Sequence, residues 1–126
     1  GVKLNITAVF THEQVRKISA VLNKNTKTII SIFSGRVADT GVDPIKHFRE
    51  CSEKYRNENT EFLWASPREL FNIFNAEEAG ADVITISLDL IKKLKNVGKD
   101  LTEYSKETVQ MFYNDALTAG YKLDIN

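Results

Sequence analysis

Two arginines stand where an anion could be held. Arg36 and Arg68 each come just after a short apolar run, 28–33 and 61–65, of the kind that forms a buried strand. Loops beyond the C-terminal ends of such strands are where α/β proteins bind ligands. Arg68 sits inside Ser66-Pro67-Arg68-Glu69, which combines three helix-start signals: Ser as N-cap, Pro at the first position and Glu at the third. That reading puts a guanidinium beside free backbone N–H groups and the positive end of a helix dipole, an arrangement suited to phosphate. A cation there is otherwise unfavourable to the helix. The plainer alternative for both arginines is a solvated or carboxylate-paired side chain. Asn5 and Thr7 are the second cluster. They alternate along a strand candidate, 3–10, so they share one face, and Asn in mid-strand is disfavoured without a reason. Val9 extends that face; Leu4, Ile6 and Ala8 form the other. Ser31 and Thr85 are further polar residues in apolar strands, which a neighbouring backbone group could equally satisfy.

The remaining reactive residues have simpler readings. Asp43 before Pro44 is an N-cap, and Asp39 a turn former. His12 and His47 have no nucleophile nearby in sequence and read as non-catalytic histidines. Cys51 lies on an apolar helical face and reads as core. Trp64 and Phe33 could line a pocket, with core packing the default.

The elements that must position these residues alternate. Strands are predicted at 3–10, 28–33, 61–65 and 82–86. Helices follow Thr11 (a capping box with Gln14), Asp43-Pro44 (to about Tyr55), Ser66-Pro67 (to near Gly80) and Ser87 (to Gly98). The 34–43 segment between strand and helix reads as a polar loop. A last helix starts near Ser105, with Val109, Phe112, Tyr113 and Ala116 on one face. No repeat in residue identity stands out. Alternating strands and helices imply a parallel sheet. In an open doubly wound sheet both faces pack helices and should be apolar; in a barrel the inner face can carry polar site residues. Asn5, Thr7, Ser31 and Thr85 favour the barrel. The fold class is therefore α/β: four βα units of a (β/α)8 barrel, a half-barrel, plus a C-terminal helix, in one domain over 1–126.

Composition narrows the function. The chain has 126 residues, 42% hydrophobic and 27% charged, with a net charge of zero. That balance argues against nucleic acid or an anionic membrane as partner. No run approaches the ~18 apolar residues of a membrane span. One cysteine excludes an internal disulfide and fits a reducing, cytoplasmic setting, and two histidines with one cysteine make a zinc site improbable. Gly1-Val2-Lys3 leads almost directly into a strand without a starting Met, which reads as a cut through a longer protein.

The chain resembles the transaldolase family, specifically the second half of its barrel. The resemblance rests on Leu4-Asn5-Ile6-Thr7-Ala8-Val9-Phe10, Ser31-Ile32-Phe33-Ser34-Gly35-Arg36 and Ala65-Ser66-Pro67-Arg68, with support from Gly98-Lys99-Asp100-Leu101 and Met111-Phe112-Tyr113-Asn114-Asp115-Ala116. It implies strands 5 to 8 of the barrel, and a Schiff-base transferase that moves a dihydroxyacetone unit between sugar phosphates in the pentose phosphate pathway, with no metal or other cofactor. By motif, Asn5 touches the dihydroxyacetone, Thr7 holds the catalytic water, Ser31 and Phe33 line the substrate channel, and Arg36 and Arg68 clamp phosphate. The family's Schiff-base lysine lies on the preceding strand, in a Lys-Ile-Pro-type motif that this sequence does not contain. Its catalytic aspartate and glutamate, from earlier strands, are also missing. Lys3 is no substitute: it lies roughly 13 Å below Thr7 at ~3.3 Å per residue, and an activated lysine needs a desolvated pocket at the substrate. The isolated chain is therefore expected to be inactive. Four strands leave two open edges, so a missing N-terminal half or a second copy is expected to cover them. The alternative reading is a non-catalytic sugar-phosphate-binding half-barrel. A response-regulator-like domain would need an acidic cluster at the strand ends, which the sequence lacks.

Overall fold

The computed structural model describes residues 2–120, which fall into two compact units, one ending at Lys92 and the other beginning at Lys93. The first is built on a four-stranded parallel sheet: β1 (Leu4–Val9), β2 (Thr28–Ile32), β3 (Thr60–Trp64) and β4 (Val83–Ile84). The strands lie in strict sequence order, β1-β2-β3-β4. A doubly wound sheet reverses its order at a switch point; this one does not. Crossovers of one hand then place the helices that join these strands on the same face.

The burial pattern agrees with that geometry. Ile30 is paired with Phe62, and Ile32 with Trp64, and all four are fully buried. They alternate with Ser31 and Leu63, so they mark a single sheet face. Val15 of α1 (His12–Val21), Phe48 and Cys51 of α3 (Pro44–Ser52) and Ala76 of α4 (Asn72–Glu78) join them in one core. Burying a large apolar side chain contributes about 2 kcal/mol, so this face holds the unit together. Trp64 belongs here: its ring lies 5.5 Å from that of Phe48.

Helix starts follow the sequence where the caps are local. Thr11 and Gln14 form the reciprocal capping box. Asp43 accepts from the Ile45 and Lys46 N–H groups ahead of Pro44 in α3, which passes into a 3₁₀ turn at Glu53–Tyr55. The Leu90 N–H donates to Ser87 Oγ in α5 (Leu88–Lys93).

Five expectations are corrected. The 34–43 segment is not all loop: it opens with a short helix, α2 (Ser34–Ala38), anchored by buried Val37. Val9 does not continue the Asn5–Thr7 face. The β1–β2 register shifts between Ile6 and Val9, so that Thr7 and Ala8 together oppose Ser31, and Ala8 takes a φ of 57°. This bulge turns Val9 into the core, where it is 2% exposed. Strand 82–86 shrinks to Val83–Ile84; at its start the Asp82 carboxylate, rather than a backbone carbonyl, accepts the Phe62 N–H. The Ser66-Pro67 helix start is absent; α4 begins at Asn72, after turns through Glu69, Leu70 and Phe71, for a reason given below. Finally, one short repeat exists. Asn23-Lys24-Asn25-Thr26 and Asn57-Glu58-Asn59-Thr60 are the same turn, each Asn side chain accepting from the N–H two residues on, at 2.9 Å. The two turns lead into β2 and β3, and Asn59 Nδ2 donates to the Lys24 carbonyl to tie them together.

The second unit contains α6 (Leu101–Thr118). It starts four residues before Ser105, because Asp100 caps it by accepting from the Glu103 N–H at 3.0 Å. Lys99 pairs with Glu107 and lies over the Tyr104 ring. Val109, Phe112 and Tyr113 share a helical face as expected, but they are exposed. Among the described residues no helix is long and apolar enough to cross a membrane.

Candidate functional site

The sheet face opposite the core carries the polar residues. Ser31 Oγ donates to Asn5 Oδ1 at 2.8 Å, joining β2 to β1 across that face. Ser31 is 4% exposed, whereas Asn5 and Thr7 are open to solvent. The bond has a chemical consequence. It occupies the Asn5 carbonyl oxygen, so the amide nitrogen with its two N–H donors is left to face a ligand. Thr7 stands on the same face, in the bulge, and its hydroxyl can both donate and accept. Phe33, half-buried just past β2, lies 5.6 Å from the Phe10 ring at the end of β1. Thr7, Ser31 and Phe33 thus lie toward the C-terminal ends of β1 and β2, and Asn5, near the start of β1, is joined to them through Ser31.

The two arginines meet this region through a backbone contact. The Gly35 N–H donates to the Ala65 carbonyl at 3.3 Å, and the Gly35 Cα lies directly against the Ser66 peptide: a Cβ at 35 would overlap the Ser66 carbonyl oxygen. The β2–α2 turn and the loop after β3 are therefore locked together, with Arg36 one residue and Arg68 two residues past the contact. Ser66 accommodates it by adopting a φ of 64°, a left-handed conformation that costs a non-glycine residue about 1 kcal/mol or more. An N-cap needs extended backbone, which explains why Ser66-Pro67 does not start a helix. Arg68 accordingly lies in a loop, not in a first helical turn. Its N–H and that of Glu69 are not free; both donate to Asn72 Oδ1, at 2.7 and 2.9 Å.

The electrostatics differ between the two cations. Arg68 pairs with Asp39 at 3.1 Å, with both side chains about half exposed. Arg36 is exposed and has no ion pair among the described residues. Asp39, read from the sequence as a turn former, is thus also the acidic partner of Arg68. Nothing in its local sequence announces this, because the contact spans 29 residues.

The other candidates lie elsewhere. Lys3 precedes β1 at the opposite end of the sheet from Arg36 and Arg68. Thr85 is exposed just past β4, its N–H donating to the Trp64 carbonyl. The His12 ring packs 5.6 Å from Tyr55. His47 Nε2 lies 3.7 Å from Cys51 Sγ. Cys51 is buried in the core, and that burial pushes its thiol up to about 11, so it is held protonated and inert at neutral pH.

The family model for transaldolase/fructose-6-phosphate aldolase matches residues 1–124. A probable transaldolase of Bdellovibrio bacteriovorus is 32% identical over 117 residues, covering 91% of this chain and 50% of that protein. Probable transaldolases of Ruegeria sp. and Cytophaga hutchinsonii are 34% identical over 126 residues and 35% identical over 98 residues; these matches cover 98% and 76% of this chain, and 54% and 43% of those proteins. The chain spans about half the length of the curated relatives it matches.

Proposed function

Because the chain belongs to the transaldolase/fructose-6-phosphate aldolase family, we propose that it supplies the C-terminal half, strands 5 to 8, of a Schiff-base aldol-transfer site. The imine-forming lysine then comes from a strand outside residues 1–126. The reaction moves a dihydroxyacetone unit between sugar phosphates in cytoplasmic carbohydrate metabolism. The lysine amine adds to the ketose carbonyl and water leaves. The resulting iminium draws in the electron pair of the C–C bond between its α and β carbons, which breaks as the β-hydroxyl gives up its proton and an aldehyde is released. The enamine that remains adds to the acceptor aldehyde, whose oxygen takes up a proton, and water then hydrolyses the new iminium to release the ketose product and the lysine amine.

In this scheme the chain's own residues bind, orient and move protons. Asn5 Nδ2 donates to a dihydroxyacetone hydroxyl, in the orientation imposed by Ser31. Thr7 holds the catalytic water that relays the proton of the hydroxyl beside the breaking C–C bond. Phe33 walls the channel. Arg36 and Arg68 grip the phosphate, which displaces Asp39 from Arg68. The observation that carries this reading is the Ser31–Asn5 hydrogen bond on the sheet face opposite the core, where Asn5 and Thr7 are exposed. A face destined for more helices would be apolar. β1 and β4 are the edges of the sheet, and the strands that close a barrel on them come from the missing half or from a second copy.

Borohydride reduction with a ketose phosphate tests the assignment. This chain alone is expected to show no covalently labelled lysine, while the full-length protein is labelled outside it. A labelled lysine within 1–126 overturns the reading. A charge-assisted hydrogen bond is worth about 1.5–3 kcal/mol, so Arg68→Ala weakens sugar-phosphate binding roughly 10- to 100-fold. Unchanged affinity removes Arg68 from the site.

A further inference from the structure

A second polar cleft lies at the other end of the sheet. It occupies about 280 Å³ beside the paired turns that lead into β2 and β3. Its charge is one-sided: Lys24, Lys54 and Arg56 line it, and no acidic side chain does. Arg56 is already engaged, pairing with Asp82 at 2.7 Å, donating to the Gly80 carbonyl and stacking over the Phe62 ring. Lys24 and Lys54 have no ion pair among the described residues.

The neutral groups point the same way. Asn23 and Asn57 line the cleft, and each has its carbonyl oxygen taken by the turn N–H, which leaves the two amide donors free. The Ser19 hydroxyl, also in the lining, is buried and has no partner among the described residues. The cleft therefore presents two unpaired ammonium groups and several N–H and O–H donors, with its amide acceptors used internally. Such a surface favours a compact anion rich in acceptors. Leu22 and Tyr55 add an apolar wall.

We infer that this cleft binds a phosphomonoester, its phosphate held by Lys24, Lys54 and the Asn23 and Asn57 amides and its organic part laid against Leu22 and Tyr55. The turns precede Thr28 and Thr60, at the N-terminal ends of β2 and β3, whereas Arg36 and Arg68 follow the C-terminal ends. The site is thus distinct from the candidate active site and does not depend on the reading given to it.

Amide NMR titrations of the chain with inorganic phosphate and with glycerol phosphate, at constant ionic strength, test it. Saturable shifts are expected at Lys24, Asn25, Lys54 and Asn57. Lys24→Ala combined with Lys54→Ala should weaken them about tenfold or more, since each lysine makes a charge-assisted contact. Asn57→Asp keeps the turn, because Asp accepts the same N–H, but replaces the donor with an anion; it should abolish the shifts while the chain stays folded. Arg68→Ala should leave them unchanged. Tighter binding of the ester supports the organic ligand, and equal affinity assigns the cleft to free phosphate instead. Absence of shifts in the cleft, or shifts unaffected by the lysine and Asn57 variants, overturns the proposal.

Discussion

Gly35→Ala sets local preference against tertiary contact. Gly35 lies within α2, where its φ is not in the left-handed region. Helix propensity alone favours alanine by about 1 kcal/mol, so a purely local view expects stabilisation. The structure expects the reverse. A Cβ at 35 would overlap the Ser66 carbonyl oxygen, stand 2.5 Å from its carbonyl carbon and 3.2 Å from its Oγ. Two of those atoms are backbone and cannot rotate away. Overpacking of this kind costs about 1–3 kcal/mol. Separating the turns also lengthens the 3.3 Å bond from the Gly35 N–H to the Ala65 carbonyl, worth about 1 kcal/mol. Set against the propensity gain, the net is a loss of about 1–3 kcal/mol. For a chain of this size each kcal/mol moves the midpoint by roughly 4 °C, so a fall of roughly 4–12 °C is expected in a thermal melt followed by circular dichroism. Because Arg36 and Arg68 flank the contact, the sugar-phosphate binding proposed above should weaken as well. A midpoint equal to or above that of the parent would refute the steric argument and, with it, the claim that the two loops are locked.

Three further outcomes follow from other contacts. Asp82→Ala removes the acceptor of the Phe62 N–H and the partner of Arg56; the unpaired backbone group costs about 1–3 kcal/mol, and the Phe62 amide should lose hydrogen-exchange protection before the Ile30 amide does. Ser31→Ala frees the Asn5 amide to rotate; stability should fall by no more than about 1 kcal/mol, while, on the function proposed above, dihydroxyacetone-unit transfer by a protein that contains this chain and the lysine strand falls severalfold, and an undiminished rate would remove the positioning role. Cys51 should react with a thiol reagent only after denaturation at pH 8. Its thiol, at 9.0 when unperturbed, is raised to about 11 by burial, so between those values the native state holds the proton that the unfolded chain releases; stability therefore falls as pH rises from 9 to 11, and Cys51→Ala removes that part of the slope.

Local signals carried much of the fold. The βα alternation, the Thr11–Gln14 box, the Asp43-Pro44 start and the Ser87 cap are each decided by residues within a turn of one another, and each stands in the structure. The polar strand face was legible for the same reason: side chains alternate with period two, so Asn5 and Ser31 could be assigned to a face from β-strand geometry alone. Where that periodicity broke, the reading broke with it. Ala8 is not a residue that advertises a bulge, yet the extra residue at Thr7–Ala8 moved Val9 into the core.

The failures at the site have a common cause. Ser66-Pro67-Arg68-Glu69 has every local mark of a helix start, and Asp39 every mark of a turn. The first is overridden by a contact about 30 residues away in sequence, Gly35 against the Ser66 peptide; Asp39 does lie in a turn, and a contact equally remote in sequence adds its pairing with Arg68. The sequence by itself determined the βα alternation, the core-facing residues of α3 and the family, because these rest on periodicity, caps and motifs that neighbouring residues settle among themselves. Tertiary structure alone decided how the two arginine loops are held, which carboxylate Arg68 meets and which atom of Asn5 is left for a ligand, because those depend on strands packed side by side. Backbone approaching backbone at Gly35 leaves no more trace in the sequence than the absence of a side chain.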